Sequence, residues 1–287
     1  MEYTTFGNTQ RRISRIGFGG ATAGLTNYTG LFNPHDVSER EELLKAMRLA
    51  YELGINYFDT AASYGNGVSE EIFGEGLSGI KPQSIFLATK ASVGDGENTR
   101  RSLERSLTHL KREWIDLIQI HSSFLSQEDV QTIFMPGGML QALEKAKEEG
   151  LVKHIGFTAE CQNRALFDLI DSKRFASMQM QYNLLFQHPS DFSWNSGCIF
   201  EAEKQGMGIA VMRTATSGIF QRWVQQVNPQ NTFDYTPALI QMVLSNPMVD
   251  VALIGMRTCD IVEKNVAIVN DISGRITLSE LHDRYVH

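Results

Sequence analysis

Residues 54–77 read GINYFDTAASYGNGVSEEIFGEGL, and this stretch contains the unit from which the fold can be inferred. It opens on a glycine, continues through an apolar run at residues 55–60, and then enters a loop of small and polar side chains. Apolar runs of this length without strict alternation are typical of strands buried on both faces of a parallel sheet. We therefore interpret residues 55–60 as such a strand.

The same unit recurs along the chain. Longer stretches with apolar residues at helical spacing separate the runs, as at Leu103, Leu107 and Leu110, and Gly54 and Gly150 stand where a helix would end before a strand. Eight strands alternating with helices predict an α/β fold, a (β/α)8 TIM barrel, whereas a doubly wound open sheet seldom reaches eight even units. The other seven runs are residues 16–20, 85–90, 115–120, 154–158, 177–182, 208–213 and 251–256.

The chain begins with a pattern of its own. Residues 3–6 and 11–14 flank Gly7 and Asn8, which predicts a β-hairpin. We expect this hairpin to cap the bottom of the barrel. No Pro-, Gly- or Ser-rich linker interrupts the alternation, so we expect one domain over residues 1–287.

Composition excludes several classes of protein. Acidic residues outnumber basic ones 33 to 26, and the net charge of −7 argues against a dedicated nucleic-acid binder. The three cysteines, Cys161, Cys198 and Cys259, are far apart, so we expect reduced thiols and neither disulfides nor a metal site. The polar N-terminus and the lack of any run of 18 apolar residues predict a cytoplasmic protein without a membrane span.

Polar side chains stand at the ends of the predicted strands, where barrel enzymes place their active sites. Asp59, Lys90 and His121 end three neighbouring strands, and Tyr64 lies in the loop five residues after Asp59. Singly, Asp59 could cap a turn and Tyr64 could be a surface aromatic. Lys90, however, follows an apolar strand, and its ammonium group needs a partner there.

Together, these residues can make Tyr64 a proton donor. The charge of Lys90 would lower the pKa of Tyr64 from its reference near ~10, while Asp59 holds the ammonium group. His121 can donate to a substrate oxygen or relay a proton. The sequence therefore predicts a site that protonates an oxygen as negative charge develops on it.

The quoted motif resembles the signature of the aldo-keto reductase superfamily, with its Asp-Thr-Ala, Tyr-Gly, Glu and Gly-x-x-Leu elements. The segments FLATK, IDLIQIH, VKHIGFT and VALIGMRTCDIVEKN are similar to later family segments in the same order. The resemblance runs from the hairpin to about Asn270. It implies a (β/α)8 barrel that reduces small-molecule aldehydes and ketones to alcohols with NAD(P)H. It also implies that Tyr64, Asp59, Lys90 and His121 are the catalytic tetrad, with Tyr64 as the general acid.

Cofactor binding is inferred from the resemblance, because no GxGxxG fingerprint follows the first strand and Thr22 stands where its last glycine should be. The family holds its cofactor extended across the barrel top, with Gln179 on the carboxamide and Asn265 on the adenine. The planar fork of Arg257 suits a 2′-phosphate, which favours NADPH and leaves NADH possible. The expected cofactor contacts are Thr158, Gln179, Met212, Arg213, Gly255, Arg257, Glu263 and Asn265.

Several positions depart from the family pattern, among them Thr214-Ala215-Thr216, which stands where Pro-Leu-Gly is common. Thr158-Ala159 replaces the common Ser-Asn, and Met212 replaces the aromatic residue that stacks on the nicotinamide, where Met212 or Arg213 could cover the ring instead. Lys264 replaces the second acid of the adenine motif. We expect these changes to affect cofactor affinity more than chemistry.

The substrate pocket is expected to be shaped by three loops, residues 21–39, 122–138 and 217–234. Aromatic walls would suit a hydrophobic carbonyl compound. A last helix from about Leu278 leaves little chain to cover the pocket, so we expect it to be open and broadly specific. The aromatic residues of these loops are Tyr28, Phe32, Phe124, Phe134, Phe220 and Trp223.

Two other functions are compatible with the pattern. The barrel could be a cofactor-binding regulatory subunit with little turnover. It could also be a non-redox barrel enzyme, such as a sugar isomerase or an aldolase, that uses Lys90 as a Schiff-base amine. Turnover with aldehydes would argue against the first, and borohydride trapping on Lys90 would support the second.

Overall fold

The structure is a computed structural model that describes residues 1–279 of the 287. A short antiparallel hairpin, β1 (Tyr3–Thr5) and β2 (Arg12–Ser14), precedes eight parallel strands that form a closed barrel. The last barrel strand pairs with both its predecessor and the first, which closes the ring and confirms the predicted (β/α)8 barrel. The barrel strands are β3 (Ile16–Gly19), β4 (Tyr57–Asp59), β5 (Phe86–Ser92), β6 (Ile115–His121), β7 (Val152–Ala159), β8 (Ser177–Gln181), β9 (Gly208–Met212) and β10 (Val251–Ile254).

Helices connect the barrel strands and cover their outer faces. One of them begins where the Asp95 side chain accepts a hydrogen bond from the Asn98 amide, and it buries Leu103 and Leu110 against the barrel. The predicted helix from about Leu278 lies almost entirely outside the described residues. The described helices are α1 (Ala21–Gly24), α2 (Val37–Glu52), α3 (Val68–Gly76), α4 (Gly96–Leu110), α5 (Gln127–Phe134), α6 (Met139–Glu148), α7 (Arg164–Asp171), α8 (Cys198–Lys204), α9 (Ile219–Val227), α10 (Thr236–Leu244) and α11 (Cys259–Asn270).

The three segments expected to be loops carry helices of their own. Residues 122–138 contain α5 and residues 217–234 contain α9, while α1 and the start of α2 lie within residues 21–39. At α5 the local cause is a capping box, in which Ser126 and Asp129 bond each other's backbone amides. The expectation of plain loops was therefore wrong for these connections.

The hairpin closes the bottom of the barrel, as predicted. Phe6 is fully buried, and its ring centroid lies 5.4 Å from that of Tyr57 and 5.3 Å from that of Phe86, at the starts of β4 and β5. Gly7 passes so close that an added Cβ would lie 2.2 Å from the Gly208 nitrogen. A 3-10 turn over Gly7–Thr9 lies between its two strands.

We predict that Phe6→Ala lowers the free energy of unfolding by about 3–5 kcal/mol, because it empties a dry aromatic cluster inside the barrel. Urea denaturation measures the change. Phe124→Ala is the control, since that ring is 69% exposed, and it should change stability by less than about 0.5 kcal/mol. Equal losses in the two variants would contradict the capping role of Phe6.

Candidate active site

A buried ion pair occupies the centre of the barrel mouth. The Lys90 ammonium donates to Asp59 Oδ2 at 2.6 Å and to the Thr60 carbonyl at 2.7 Å, while Lys90 and Asp59 are only 1% and 2% exposed. Adjacent strands supply the two side chains, since Asp59 ends β4 and pairs in register with Ala88 of β5. A charge removed from water at this depth is tolerated only with a partner in good geometry, and each residue provides that for the other.

Two glutamines extend this pair across the barrel. Gln119 donates to Asp59 Oδ1 and to Gln179 Oε1, both at 3.1 Å, so one hydrogen-bonded row links β4, β5, β6 and β8. The sequence analysis missed Gln119. It stands two residues before His121 on the same strand, so alternation along β6 points both toward the same face, and that signal would have found it.

Tyr64 and His121 complete the group predicted from the strand ends. The Lys90 nitrogen lies 4.9 Å from the centroid of the Tyr64 ring. The Tyr64 and His121 ring centroids are 5.7 Å apart, with the planes nearly perpendicular. The structure thus brings Asp59, Tyr64, Lys90 and His121 together at the carboxyl ends of neighbouring strands.

The pKa of the Tyr64 phenol is shifted in the opposite direction to the one predicted from the sequence. Burial raises the pKa of its phenol, Lys90 partly opposes that increase, and the negative charge of Asp59 adds to it, so the net shift is upward. The expectation that Lys90 would lower this pKa overall was wrong, because it omitted desolvation. As a consequence Tyr64 keeps its proton through the neutral pH range.

The ion pair stays charged despite its burial. Burial opposes the positive charge of Lys90, but Asp59 and Tyr64 more than offset it, so the pKa of Lys90 is raised. Burial raises the pKa of the Asp59 carboxyl, and Lys90 and the hydrogen bond from Gln119 offset only part of that increase. The Lys90 side chain is therefore a protonated ammonium group at neutral pH. Asp59 balances its charge beside Tyr64.

His121 is held as a neutral imidazole. Burial, with a smaller contribution from the charge of Lys90, lowers its pKa to about 3. Ser63 Oγ lies 3.2 Å from His121 Nδ1, and when Nδ1 accepts this hydroxyl proton the ring carries its own proton on Nε2. The ring can then donate one hydrogen bond to an oxygen in the site. Ser63 was also missed by the sequence analysis, although it directly precedes Tyr64.

A cavity of about 750 Å³ opens over these residues. It is lined by the tetrad, and two amide side chains on its wall bear on cofactor binding. The amide nitrogen of Gln179 lies 3.8 Å from the Met212 sulfur, and Asn265 is 4% exposed with no side-chain hydrogen bond among residues 1–279. Of the expected cofactor contacts, the cavity is lined by Thr158, Gln179, Met212, Arg213, Gly255 and Asn265.

Arg257 and Glu263 do not lie on the cavity wall. The Arg257 guanidinium stacks 4.9 Å from the centroid of the Phe32 ring, and its Nη1 is buried without a hydrogen-bond partner among residues 1–279. Glu263 is an exposed residue of α11. Lys264, in contrast, does line the cavity and pairs with Asp260 at 2.6 Å.

The cations of the cavity are individually neutralised. Arg213 Nη2 lies 2.8 Å from Glu160 Oε2, and Lys90 is paired with Asp59. The sequence analysis predicted Arg213 as a cofactor contact and assigned it no partner. Glu160, which it did not single out, lies two residues after Thr158 at the end of β7.

Most of the expected aromatic lining is absent from the cavity wall in the described part of the chain. Among the six aromatic residues of the three connecting segments, only Tyr28 lines the cavity. Phe32 packs under Arg257, Phe134 packs against Phe175, and Phe124 is largely exposed. The expectation of aromatic walls was therefore wrong, while aliphatic side chains such as Leu25, Leu253 and Ile268 do line the cavity.

Residues 1–279 contain no helix that is both long and apolar enough to cross a membrane. The same residues contain no group of three or more His, Cys, Asp or Glu side chains arranged to bind a metal ion.

Comparison with known proteins places these features in context. The sequence model of the aldo/keto reductase family matches residues 15–285 of this chain. L-galactose dehydrogenase of Arabidopsis thaliana is 33% identical over 167 residues, which cover 55% of this chain and 48% of that relative. The match therefore spans about half the length of that curated protein.

Solved structures share the fold. An aldo-keto reductase from Bacillus halodurans, in its holo form, superposes with a TM-score of 0.77 at 20% identity, covering 100% of this chain and 96% of its own. An aldo/keto reductase from Klebsiella pneumoniae, in complex with NADP and acetate, gives a TM-score of 0.74 at 19% identity, with coverage of 99% and 95%. At these identities the likeness concerns the fold.

We predict that the low pKa of His121 makes the protein less stable as the pH falls from 6.5 toward 4. A histidine with a folded-state pKa near 3 and an unfolded-state pKa near ~6.5 binds fewer protons when folded between those values, so acid favours unfolding. Urea denaturation at pH 7 and pH 5 should show a smaller loss for His121→Asn than for the wild type. His35→Asn, at an exposed position, is the control, and an unchanged loss in His121→Asn would contradict the assignment.

Proposed function

The chain belongs to the aldo/keto reductase family, and we propose that it reduces aldehydes and ketones to alcohols with NADPH, using Tyr64 as the general acid. The observation that carries this proposal is the buried Lys90–Asp59 pair beside Tyr64 and His121 at the mouth of one cavity. The NADP-bound relative from Klebsiella pneumoniae supports the choice of cofactor.

The residues present fit a nicotinamide cofactor. Gln179 and Asn265 both line the cavity, and the Asn265 side chain makes no hydrogen bond within residues 1–279, so it is free to bond a polar ligand. Gly255 lies so close to Thr22 that an added Cβ would be 2.4 Å from its hydroxyl oxygen, which keeps the cavity wall here pure backbone. When bound, NADPH supplies the hydride that reduces the carbonyl carbon.

The chain's own residues act on the carbonyl oxygen. Tyr64 holds its proton at neutral pH and gives it to this oxygen as negative charge develops there. The Nε2–H of neutral His121 donates a hydrogen bond to the same oxygen and orients the carbonyl. Lys90 then stabilises the phenolate that remains on Tyr64, and Asp59 holds Lys90 in place.

The same geometry disfavours a Schiff-base enzyme. An amine must be neutral to attack a carbonyl. Lys90 has a raised pKa, and its protons are donated to Asp59 and to the Thr60 carbonyl. The nitrogen is therefore held as an ammonium group and lacks the free electron pair that this alternative requires.

A preference for NADPH over NADH is supported by Arg257. Its Nη1 is buried and unpaired within residues 1–279, which is a costly arrangement for a guanidinium unless an anion satisfies it. A 2′-phosphate is such an anion, and NADH lacks it. Because the Phe32 segment covers Arg257, that segment would have to shift when the phosphate binds.

We predict that Tyr64→Phe lowers kcat/KM for aldehyde reduction by roughly 10²- to 10⁴-fold, because it removes only the proton donor. Fluorescence titration should show unchanged NADPH affinity. Tyr51→Phe, which removes a hydroxyl from the outer helix α2, is the matched control and should retain full activity. A Tyr64→Phe variant with wild-type turnover would refute the role of Tyr64. A wild type that binds NADPH without reducing any aldehyde would favour a regulatory barrel.

We predict that Arg257→Ala weakens NADPH binding by roughly 10- to 100-fold, as expected for the loss of one charge-assisted contact. Affinity for NADH should stay the same, because that cofactor has no 2′-phosphate. Titration of both cofactors into Arg257→Ala and into Arg48→Ala, at an exposed position of α2, makes the comparison. Equal weakening toward the two cofactors would show that Arg257 acts through the fold alone.

A further inference from the structure

A buried carboxyl group lies next to the strand that carries Lys90. Glu70 belongs to the first turn of α3, shortly after Tyr64 in the chain, and it is 0% exposed. Its Oε1 accepts a hydrogen bond from the Thr89 hydroxyl at 2.6 Å. Thr89 directly precedes Lys90 on β5, and alternation along the strand directs the two side chains to opposite faces. The carboxyl group therefore joins the helix after Tyr64 to the strand of Lys90.

Helix α4 contributes two further polar groups at this carboxyl. Glu70 Oε2 lies 3.6 Å from His109 Nδ1, and Ser106 is close enough to lower the pKa of the carboxyl. Burial raises that pKa, and Thr89 and Ser106 offset only part of the increase. A carboxyl group out of water is tolerated only with such partners. Glu70 therefore connects α3 to both α4 and β5.

Two glycines let α3 approach α4 closely. A Cβ at Gly67 would lie 2.5 Å from the His109 ring, and a Cβ at Gly74 would lie 2.2 Å from the His109 carbonyl oxygen. Gly67 stands directly before α3 with a φ of 99°, in the left-handed region that favours glycine. The end of the loop that carries Tyr64 is therefore packed against α4, close to Glu70 in the chain.

Ser69 is a second anchor of the same helical turn. Its Oγ accepts from the Thr60 hydroxyl at 2.7 Å and donates to the Gly20 carbonyl at 2.9 Å. The Ser69 amide donates to the Tyr64 carbonyl at 3.2 Å. The backbone of Tyr64 is thus attached to the first turn of α3, and the side chains of Ser69 and Glu70 hold that turn.

The placement of the Tyr64 hydroxyl depends on these anchors. Lys90 is fixed by Asp59, so a shift of α3 relative to β5 would move Tyr64 away from a partner that does not follow. A proton donor must lie within hydrogen-bond reach of its acceptor, and a misplacement of about 1 Å can cost on the order of 10²-fold in rate.

We propose that Glu70 is a positioning residue for Tyr64: its bond to Thr89 fixes the first turn of α3 on β5 and so holds the Tyr64 hydroxyl beside Lys90. This inference rests on the proposed function, in which Tyr64 is the proton donor. Glu70 does not line the cavity, so it acts on the rate of the reaction and not on the binding of cofactor or substrate.

The test replaces Glu70 with leucine, which has no hydrogen-bonding group. Glu70→Leu should lower kcat for aldehyde reduction by roughly 10- to 100-fold, while KM for the aldehyde and the affinity for NADPH change by less than about twofold. Glu70→Gln keeps an acceptor for Thr89 and should stay within about threefold of the wild-type kcat. Glu71→Leu is the matched control, because Glu71 is the next residue of α3 and its side chain is 51% exposed. It should retain the wild-type kcat.

A double-variant cycle separates positioning from a general weakening of the fold. If Glu70 acts through Tyr64, adding Glu70→Leu to Tyr64→Phe should lower kcat by less than about a further twofold, because the proton donor is already absent. Thr89→Val removes the hydroxyl partner on β5 with little change in shape, and it should reproduce the loss in kcat. It also decides the question if Glu70→Leu does not fold.

Hydrogen exchange gives a readout that needs no turnover. Backbone amides of residues 60–69 should exchange roughly tenfold faster in Glu70→Leu than in the wild type or in Glu71→Leu. Unchanged exchange, a wild-type kcat in Glu70→Leu, or losses that multiply in the double variant would overturn the inference and leave the reductase activity intact. If the wild type binds NADPH and reduces no aldehyde, the proposed function fails and this inference fails with it.

Discussion

Lys90 places a buried ammonium group at the mouth of the barrel, near the carboxyl end of an apolar strand. An unpaired charge there would cost several kcal/mol. Asp59 relieves that cost from the neighbouring strand, and Gln119 fixes the orientation of Asp59. Tyr64 and His121 are then arranged around the Lys90 ammonium group, whose position is fixed. The rest of the site depends on this buried pair, because it sets both the positions and the protonation states of its neighbours.

The same burial has opposite effects on the two groups proposed to face the substrate. It raises the pKa of Tyr64 and lowers that of His121, so a protonated phenol stands beside a neutral imidazole. Both are hydrogen-bond donors in these states. The site therefore presents two donors to one oxygen without adding a second positive charge next to Lys90.

Apart from the contact proposed for Arg257, cofactor binding would depend on dipoles more than on free charge. The ion pair between Arg213 and Glu160 removes one cation from the field of the cavity, and Arg257 lies behind Phe32. What remains on the wall are the amides of Gln179 and Asn265 and the bare backbone at Gly255. Such groups bind a polyanion by direct hydrogen bonds, which salt screens less than a long-range field.

Local pattern alone predicted the barrel and the placement of Asp59, Lys90, His121 and Tyr64 at its mouth. Apolar runs such as residues 115–120 define strands. Parallel strands place Asp59, Lys90 and His121 at the same rim of the barrel, independently of the conformation of the loops. Tertiary structure decided what depends on neighbours distant in sequence. Desolvation raised the pKa of Tyr64, Glu160 paired with Arg213, and packing turned most of the loop aromatics away from the cavity. Burial and pairing are properties of three-dimensional surroundings, so no spacing along the chain could supply them.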